Sequence, residues 1–120
     1  MQGLLAFLDG QVVGWCNAAP RTLLDSFADE PDPDTDRLGQ ITCFVVARSH
    51  RRTGIARALL EAACDMLREQ GLALAEANPS RNASTDAENH FGPLSLYLSA
   101  GFTVVRERGD GLSVVRRRLL

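Results

Sequence analysis

Ile41-Thr42-Cys43-Phe44-Val45-Val46, then His50-Arg51-Arg52-Thr53-Gly54-Ile55-Ala56-Arg57, then a helical run to Gln70 and finally Leu72-Ala73-Leu74-Ala75-Glu76-Ala77 form the stretch that decides the fold. The first segment is β-branched, aromatic and apolar at nearly every position, the composition of a central strand covered on both faces. From Thr53 to Gln70 the apolar residues Ile55, Leu59, Ala62, Ala63, Met66 and Leu67 follow helical spacing. Gly71 stands where a left-handed glycine ends a helix. Leu72 to Ala77 reads as a second strand, stopped by Asn78-Pro79. A strand, helix and strand in that succession predict a right-handed crossover between parallel strands. The turn before the helix gathers arginines and a glycine at a helix N-terminus. Backbone N–H groups there attract anions, whereas cations oppose the helix dipole unless an anion is present, so the turn reads as a seat for a phosphorylated ligand.

Around this centre the chain reads as one mixed α/β domain over residues 1–120. Leu4 to Leu8 and Val12 to Cys16 flank Asp9-Gly10, a hairpin signal. Pro20 to Arg37 carries six carboxylates with Pro31 and Pro33 and reads at its centre as a solvated loop, with a helical turn or two expected over 22–28. Ser80 to His90 is a polar loop. Pro93 and Gly101 bracket a short helix over Leu94 to Ala100. Phe102 to Glu107 and Leu112 to Arg117 flank Gly109-Asp110-Gly111 as a closing hairpin.

Composition narrows the function classes. A chain of 120 residues buries a core without disulfides or a structural metal. Its net charge of −2 disfavours nucleic acid as a partner. No apolar run reaches the roughly 20 residues of a membrane span. All cations are arginine, the better fork for phosphate. Cys16, Cys43 and Cys64 are odd in number and share no metal-ligand spacing, which suits reduced, buried thiols in a cytoplasmic protein.

Two spaced blocks, Arg51-Arg52-Thr53-Gly54-Ile55-Ala56 after Val45-Val46, and Leu96-Tyr97-Leu98-Ser99-Ala100-Gly101-Phe102, resemble the GNAT superfamily of N-acetyltransferases. Arg51, Gly54 and Ala56 occupy the defining positions of that family's Gln/Arg-X-X-Gly-X-Gly/Ala signature. The resemblance covers Gly3 to Leu120 and implies a GNAT-like acyl-CoA N-acyltransferase fold with a mixed sheet and splayed parallel central strands. It is N-terminally shortened, because the family's first strand and two helices have no counterpart before the opening hairpin. The resemblance implies acetyl-CoA as co-substrate, with Phe44, Val45 and Val46 offering backbone groups to the pantetheine arm. Arg51, Arg52, Thr53, Gly54, Ile55, Ala56 and Arg57 would surround the pyrophosphate.

It further implies direct attack of a primary amine on the thioester, with no metal. Tyr97 would protonate the departing thiolate and a backbone N–H near Val46 would hold the oxyanion. An amphipathic tyrosine packing on the helix face is the alternative for Tyr97. Glu76 is a candidate base, a desolvated carboxylate with a raised pKa, or else a strand-end carboxylate facing water. His50 and His90 could relay protons, and Cys43 lacks a neighbouring base. The acceptor is a small-molecule or protein amine. The short N-terminus has two readings, an internal start or a homodimer that covers the exposed hairpin. A non-catalytic acyl-CoA-binding module and a phosphate-binding domain unrelated to CoA stand as alternatives.

Overall fold

The structure, a computed structural model, describes residues 3–8, 10–24, 32–46, 54–79 and 94–120; the side chains of Leu8, Cys43, Phe44 and Val46 also lie outside that description. Strands β1 (Gly3–Leu8) and β2 (Gln11–Pro20) pair antiparallel. Gly10 between them has φ +81°, the positive value such a turn requires. Then come β3 (Leu38–Val46), helix α1 (Ile55–Glu69), β4 (Leu74–Ala77), helix α2 (Leu94–Ser99), β5 (Thr103–Glu107) and β6 (Ser113–Arg118). They form a six-stranded sheet in the order β1-β2-β3-β4-β6-β5. The expected strand-helix-strand unit is present, since β3 and β4 pair parallel with α1 between them.

One core lies between the sheet and α1. Leu59, Leu60, Ala63, Cys64 and Leu67 of the helix pack with Cys16, Ala18, Ile41, Ala75, Ala77, Tyr97, Phe102 and Val115. The helix approaches closely because small residues face it. A Cβ on Gly39 would come within 2.6 Å of the Leu67 side chain. That contact explains why β3 starts at Leu38 rather than at Ile41: a glycine that weakens a strand in isolation is tolerated where a helix leans on it. Ile41–Val46 is also not covered on both faces as expected, since Val45 is 36% exposed.

Both helices end in the same way. At α1, Gly71 N–H bonds to the Arg68 carbonyl and Leu72 N–H to the Leu67 carbonyl, with Gly71 at φ +84°. At α2, Gly101 N–H bonds to the Leu98 carbonyl and Phe102 N–H to the Tyr97 carbonyl, with Gly101 at φ +91°. These are Schellman caps, and each brings an apolar residue after the glycine back onto the last turn. The cap takes Leu72 out of β4, which begins at Leu74 rather than at Leu72.

The segment from Pro20 to Arg37 departs most from its expected character. Short 3₁₀ turns form at Arg21–Leu23 and Thr35–Arg37, while 25–31 lie outside the described residues. Arg21 is buried and Asp32 nearly so, because both reach ionic partners across the sheet. The solvated centre expected from composition lies outside the described residues, and at its flanks Arg21 and Asp32 are buried or nearly so because their charges are neutralised.

The Gly39–Leu67 approach makes a direct prediction. Gly39→Val should destabilise the fold by about 1–3 kcal/mol through overpacking. Equilibrium urea denaturation would read this as a lower midpoint, with Gly39→Ala falling between the two.

Candidate functional site

The opening in the middle of the sheet is built by two strands that pair briefly and then diverge. Among the described residues, Leu38, Gly39 and Gln40 of β3 pair with β4, opposite Leu74, Ala75 and Glu76. Ile41–Val46 continues with β2 as its partner, through Ala18, Asn17, Cys16, Trp15 and Gly14. The register with β2 shifts between Asn17 and Ala18, leaving Thr42 as an extra residue. Such a bulge bends its strand and increases twist. On the other side, β4 stays with β6: Ala77 pairs Val115, and Ser113 N–H bonds to the Pro79 carbonyl at 2.8 Å. The two strands therefore part beyond the Gln40–Glu76 rung, leaving one backbone edge of β3 without a strand partner among the described residues.

Helix α1 begins beside this edge. Gly54 adopts φ +87°, and its carbonyl accepts the Ala58 N–H at 3.0 Å as the first helical bond. The N–H groups of Ile55, Ala56 and Arg57 thus have no intrahelical acceptor, and no acidic residue lies in the first turn. An anion is favoured there. Arg57 points along the helix, with Nε 3.4 Å from Glu61 and Nη1 3.5 Å from Ser99 Oγ of α2. His50, Arg51, Arg52, Thr53 and His90 lie outside the described residues, as do the side chains of Phe44, Val46 and Cys43.

Tyr97 is fully buried, its ring edge-on to Phe102 with centroids 5.3 Å apart. The cap of α2 imposes this pairing, because Phe102 N–H is tied to the Tyr97 carbonyl. Burial, with smaller contributions from Cys16 and Cys64, raises the phenol pKa well above its ordinary value. Tyr97 therefore stays a neutral phenol, with its proton available to donate. Cys16 and Cys64 are buried, and burial pushes the Cys64 thiol up to about 11.

Glu76 is buried rather than facing water. One carboxylate oxygen accepts Arg21 Nη1 at 2.8 Å and the other accepts Arg116 Nε at 2.7 Å. Arg21 Nη1 also lies 3.2 Å from Gln40 Oε1, and Gln40 Nε2 is 3.4 Å from the Glu76 carbonyl. Arg116 Nη2 reaches Asp32 at 2.6 Å. Burial pushes the Asp32 carboxyl up, but the Asp34 amide and the Arg116 guanidinium outweigh it and hold the pKa below the usual carboxylate range. Against its own burial, Arg116 is raised by hydrogen bonds to Asp32 and Glu76. Arg21, Gln40, Asp32 and Arg116 were not among the expected site residues. The available signal was the period-two spacing of polar side chains on the strands, Gln40 with Thr42 and Glu76 with Asn78. Asn78 follows β4 directly; it is buried, and its Oδ1 has no hydrogen-bond partner among the described residues.

The fold and this opening agree with the sequence comparison. The sequence profile of the acetyltransferase (GNAT) family matches residues 1–91, and the chain belongs to that family. A comparison with functionally curated proteins gives no match. Among solved structures, yncA of Salmonella typhimurium, determined with its cofactor acetyl-CoA, is similar at TM-score 0.69 and 20% identity, over 98% of this chain and 64% of that one. The ribosomal-protein-S18-alanine N-acetyltransferase of Escherichia coli is similar at TM-score 0.63 and 19% identity, over 98% of this chain and 68% of its own. The IAA acetyltransferase of Bacillus cereus is similar at TM-score 0.66 and 18% identity, covering 97% and 76%. At these identities the likeness is one of fold. The chain spans 64% of yncA and 68% of the Escherichia coli enzyme, about two thirds of each.

The ionic cluster can be tested without a substrate. Glu76→Gln keeps the side-chain shape and leaves one buried guanidinium, that of Arg21, and one half-buried, that of Arg116, facing a neutral amide. The loss should be about 3–5 kcal/mol, as for breaking other buried pairs. An unchanged urea midpoint would contradict the clamp.

Proposed function

We propose that this chain is an N-acetyltransferase that moves an acetyl group from acetyl-CoA to a primary amine within a ternary complex. The observation that carries the reading is the edge of β3 over Ile41–Val46 that has no strand partner among the described residues, next to the start of α1. A pantetheine arm has amides that can add to such an edge as a short strand. In this reading Phe44, Val45 and Val46 supply the backbone for the arm. The pyrophosphate is taken by the N–H groups of Ile55, Ala56 and Arg57 after the left-handed Gly54, together with Arg51, Arg52 and Thr53.

The reaction balances as follows. The amine nitrogen bonds to the thioester carbonyl carbon, the C–S bond breaks, and the nitrogen releases one proton to water. The thiolate takes a proton from the Tyr97 phenol, which solvent then restores. A high phenol pKa is compatible with this role, because desolvation raises the proton affinity of a thiolate in the same place. The Val46 N–H is our candidate for the oxyanion. Glu76 we reassign from base to positioning residue: each of its oxygens already accepts a guanidinium N–H, one from Arg21 and one from Arg116.

A second reading, a CoA-binding module without turnover, is favoured by the complete burial of Tyr97. A cytoplasmic location and a homodimer complete the proposal. The thiols of Cys16 and Cys64 support the location, and the dimer is supported by the edge strand β1, where Leu5 and Phe7 are 58% and 62% exposed.

Incubation with acetyl-CoA and a panel of alkylamines, polyamines, amino-acid amides and peptides with free N-termini should release CoA thiol. Tyr97→Phe, which keeps the ring contact with Phe102, should lower kcat on the order of 10²-fold with unchanged CoA affinity. CoA binding without thiol release from any amine selects the binding module instead. Light scattering after size exclusion should give twice the chain mass, and a monomer would remove the dimer from the proposal.

A further inference from the structure

Asn78 sits where the two central strands part. The residues around it are held to β6, through the Ala77–Val115 pair and the Ser113 N–H to Pro79 carbonyl bond, so its chain borders the opening on the side across from the β3 edge. It is 7% exposed, and its side-chain oxygen is buried without a hydrogen-bond partner among the described residues. Buried carbonyl oxygens are paired in folded proteins far more often than not, and an exception calls for a ligand or a functional reason. The hydrogen bonds of the polar cluster around Glu76 run among its own members. Arg21 donates to Gln40 and Glu76, Arg116 to Glu76 and Asp32, and Gln40 to the Glu76 carbonyl.

We infer that Asn78 is a specificity-determining residue for the acceptor, its Oδ1 accepting an N–H of the attacking amine. The inference rests on the acetyl-transfer reading above. The pantetheine amides have backbone partners along β3, which leaves the acceptor oxygen on the opposite lip for the second reactant. A neutral amide oxygen suits that task, because it takes one N–H while leaving the nitrogen lone pair free to attack. A carboxylate there would hold the amine as an ammonium, which cannot attack. Alcohols of matched shape present a single O–H, so the site selects amines that still carry an N–H beside the reacting lone pair.

The test compares wild type with Asn78→Leu and Asn78→Ala, using the amine of the panel that releases thiol fastest. Calorimetry with CoA, melting temperature without ligand, and steady-state kinetics are read together. The inference expects KM for the amine to rise about tenfold or more in both variants, with CoA affinity unchanged. It also expects no fall in the melting temperature of Asn78→Leu, since that variant removes a buried oxygen that has nothing to bond. Weaker CoA binding with an unchanged amine KM would assign the oxygen to the pantetheine arm and overturn the inference. A lower melting temperature in both variants with unchanged kinetics would make Asn78 structural and likewise overturn it. In both cases wild-type thiol release leaves the acetyl-transfer reading standing. Absence of thiol release by wild type with every amine refutes that reading, and the inference with it.

Discussion

One carboxylate between two arginines fixes where this sheet opens. Glu76 forms the last β3–β4 rung with Gln40, and Arg21 binds both members of that rung while Arg116 brings in β6. The groups involved come from β3, β4, β6 and the turn after β2, so the clamp fastens the sheet at the point where its central strands separate. Burying such charges is costly, and a hydrophobic replacement of similar volume is often as stable. What an ionic clamp adds here is directional: two guanidinium forks and one carboxylate accept few other arrangements, and the rung cannot slide without breaking them. The Thr42 bulge then turns β3 away, and β6 keeps the residues after β4 from following.

The opposite face depends on a different constraint, close approach. Gly39 admits Leu67, and alanines at 18, 63, 75 and 77 keep helix and sheet near one another. The helix axis determines where its first turn points, so packing at Leu67 helps to aim the N–H groups of Ile55, Ala56 and Arg57 about three turns away. The cap at Gly101 acts in the same way on Tyr97, which it ties to Phe102 through both backbone and ring. The Gly101-Phe102 pair is therefore a device for holding the Tyr97 phenol at a set depth.

Much of this was legible in the sequence because it is local. Helical spacing from Ile55 to Leu67, the glycines at 71 and 101, the Asp9-Gly10 turn and the closing hairpin are decided by neighbours within a few residues. The clamp was not legible. Arg116 is 84 residues from Asp32 and 40 from Glu76, and Arg21 is 55 from Glu76. Composition averaged Arg21 and Asp32 into a solvated loop, since a charge count carries no information about partners. Glu76 was visible as an unusual carboxylate in an apolar run, but whether it faced water, a reactant or an arginine depended on that same distant pairing. The start of β3 was misjudged for the complementary reason: Gly39 weakens a strand locally and fits only because α1 lies against it.

The two faces of the sheet thus carry separable chemistry. Caps and apolar packing against α1 shape the side on which Tyr97 lies, and removing a methyl group there changes distances. The polar cluster shapes the rung and the lip beyond it, and removing a charge there leaves another charge stranded. Because the clamp neutralises itself, with Arg21 and Arg116 set against Glu76 and Asp32, it adds little net field at the opening. In the acetyl-transfer reading proposed above, discrimination between acceptors on that side would fall to neutral hydrogen-bonding groups and to shape rather than to the charges of the clamp. A buried amide oxygen such as that of Asn78 has its greatest effect in such a place, where the charges of the clamp are already engaged with one another.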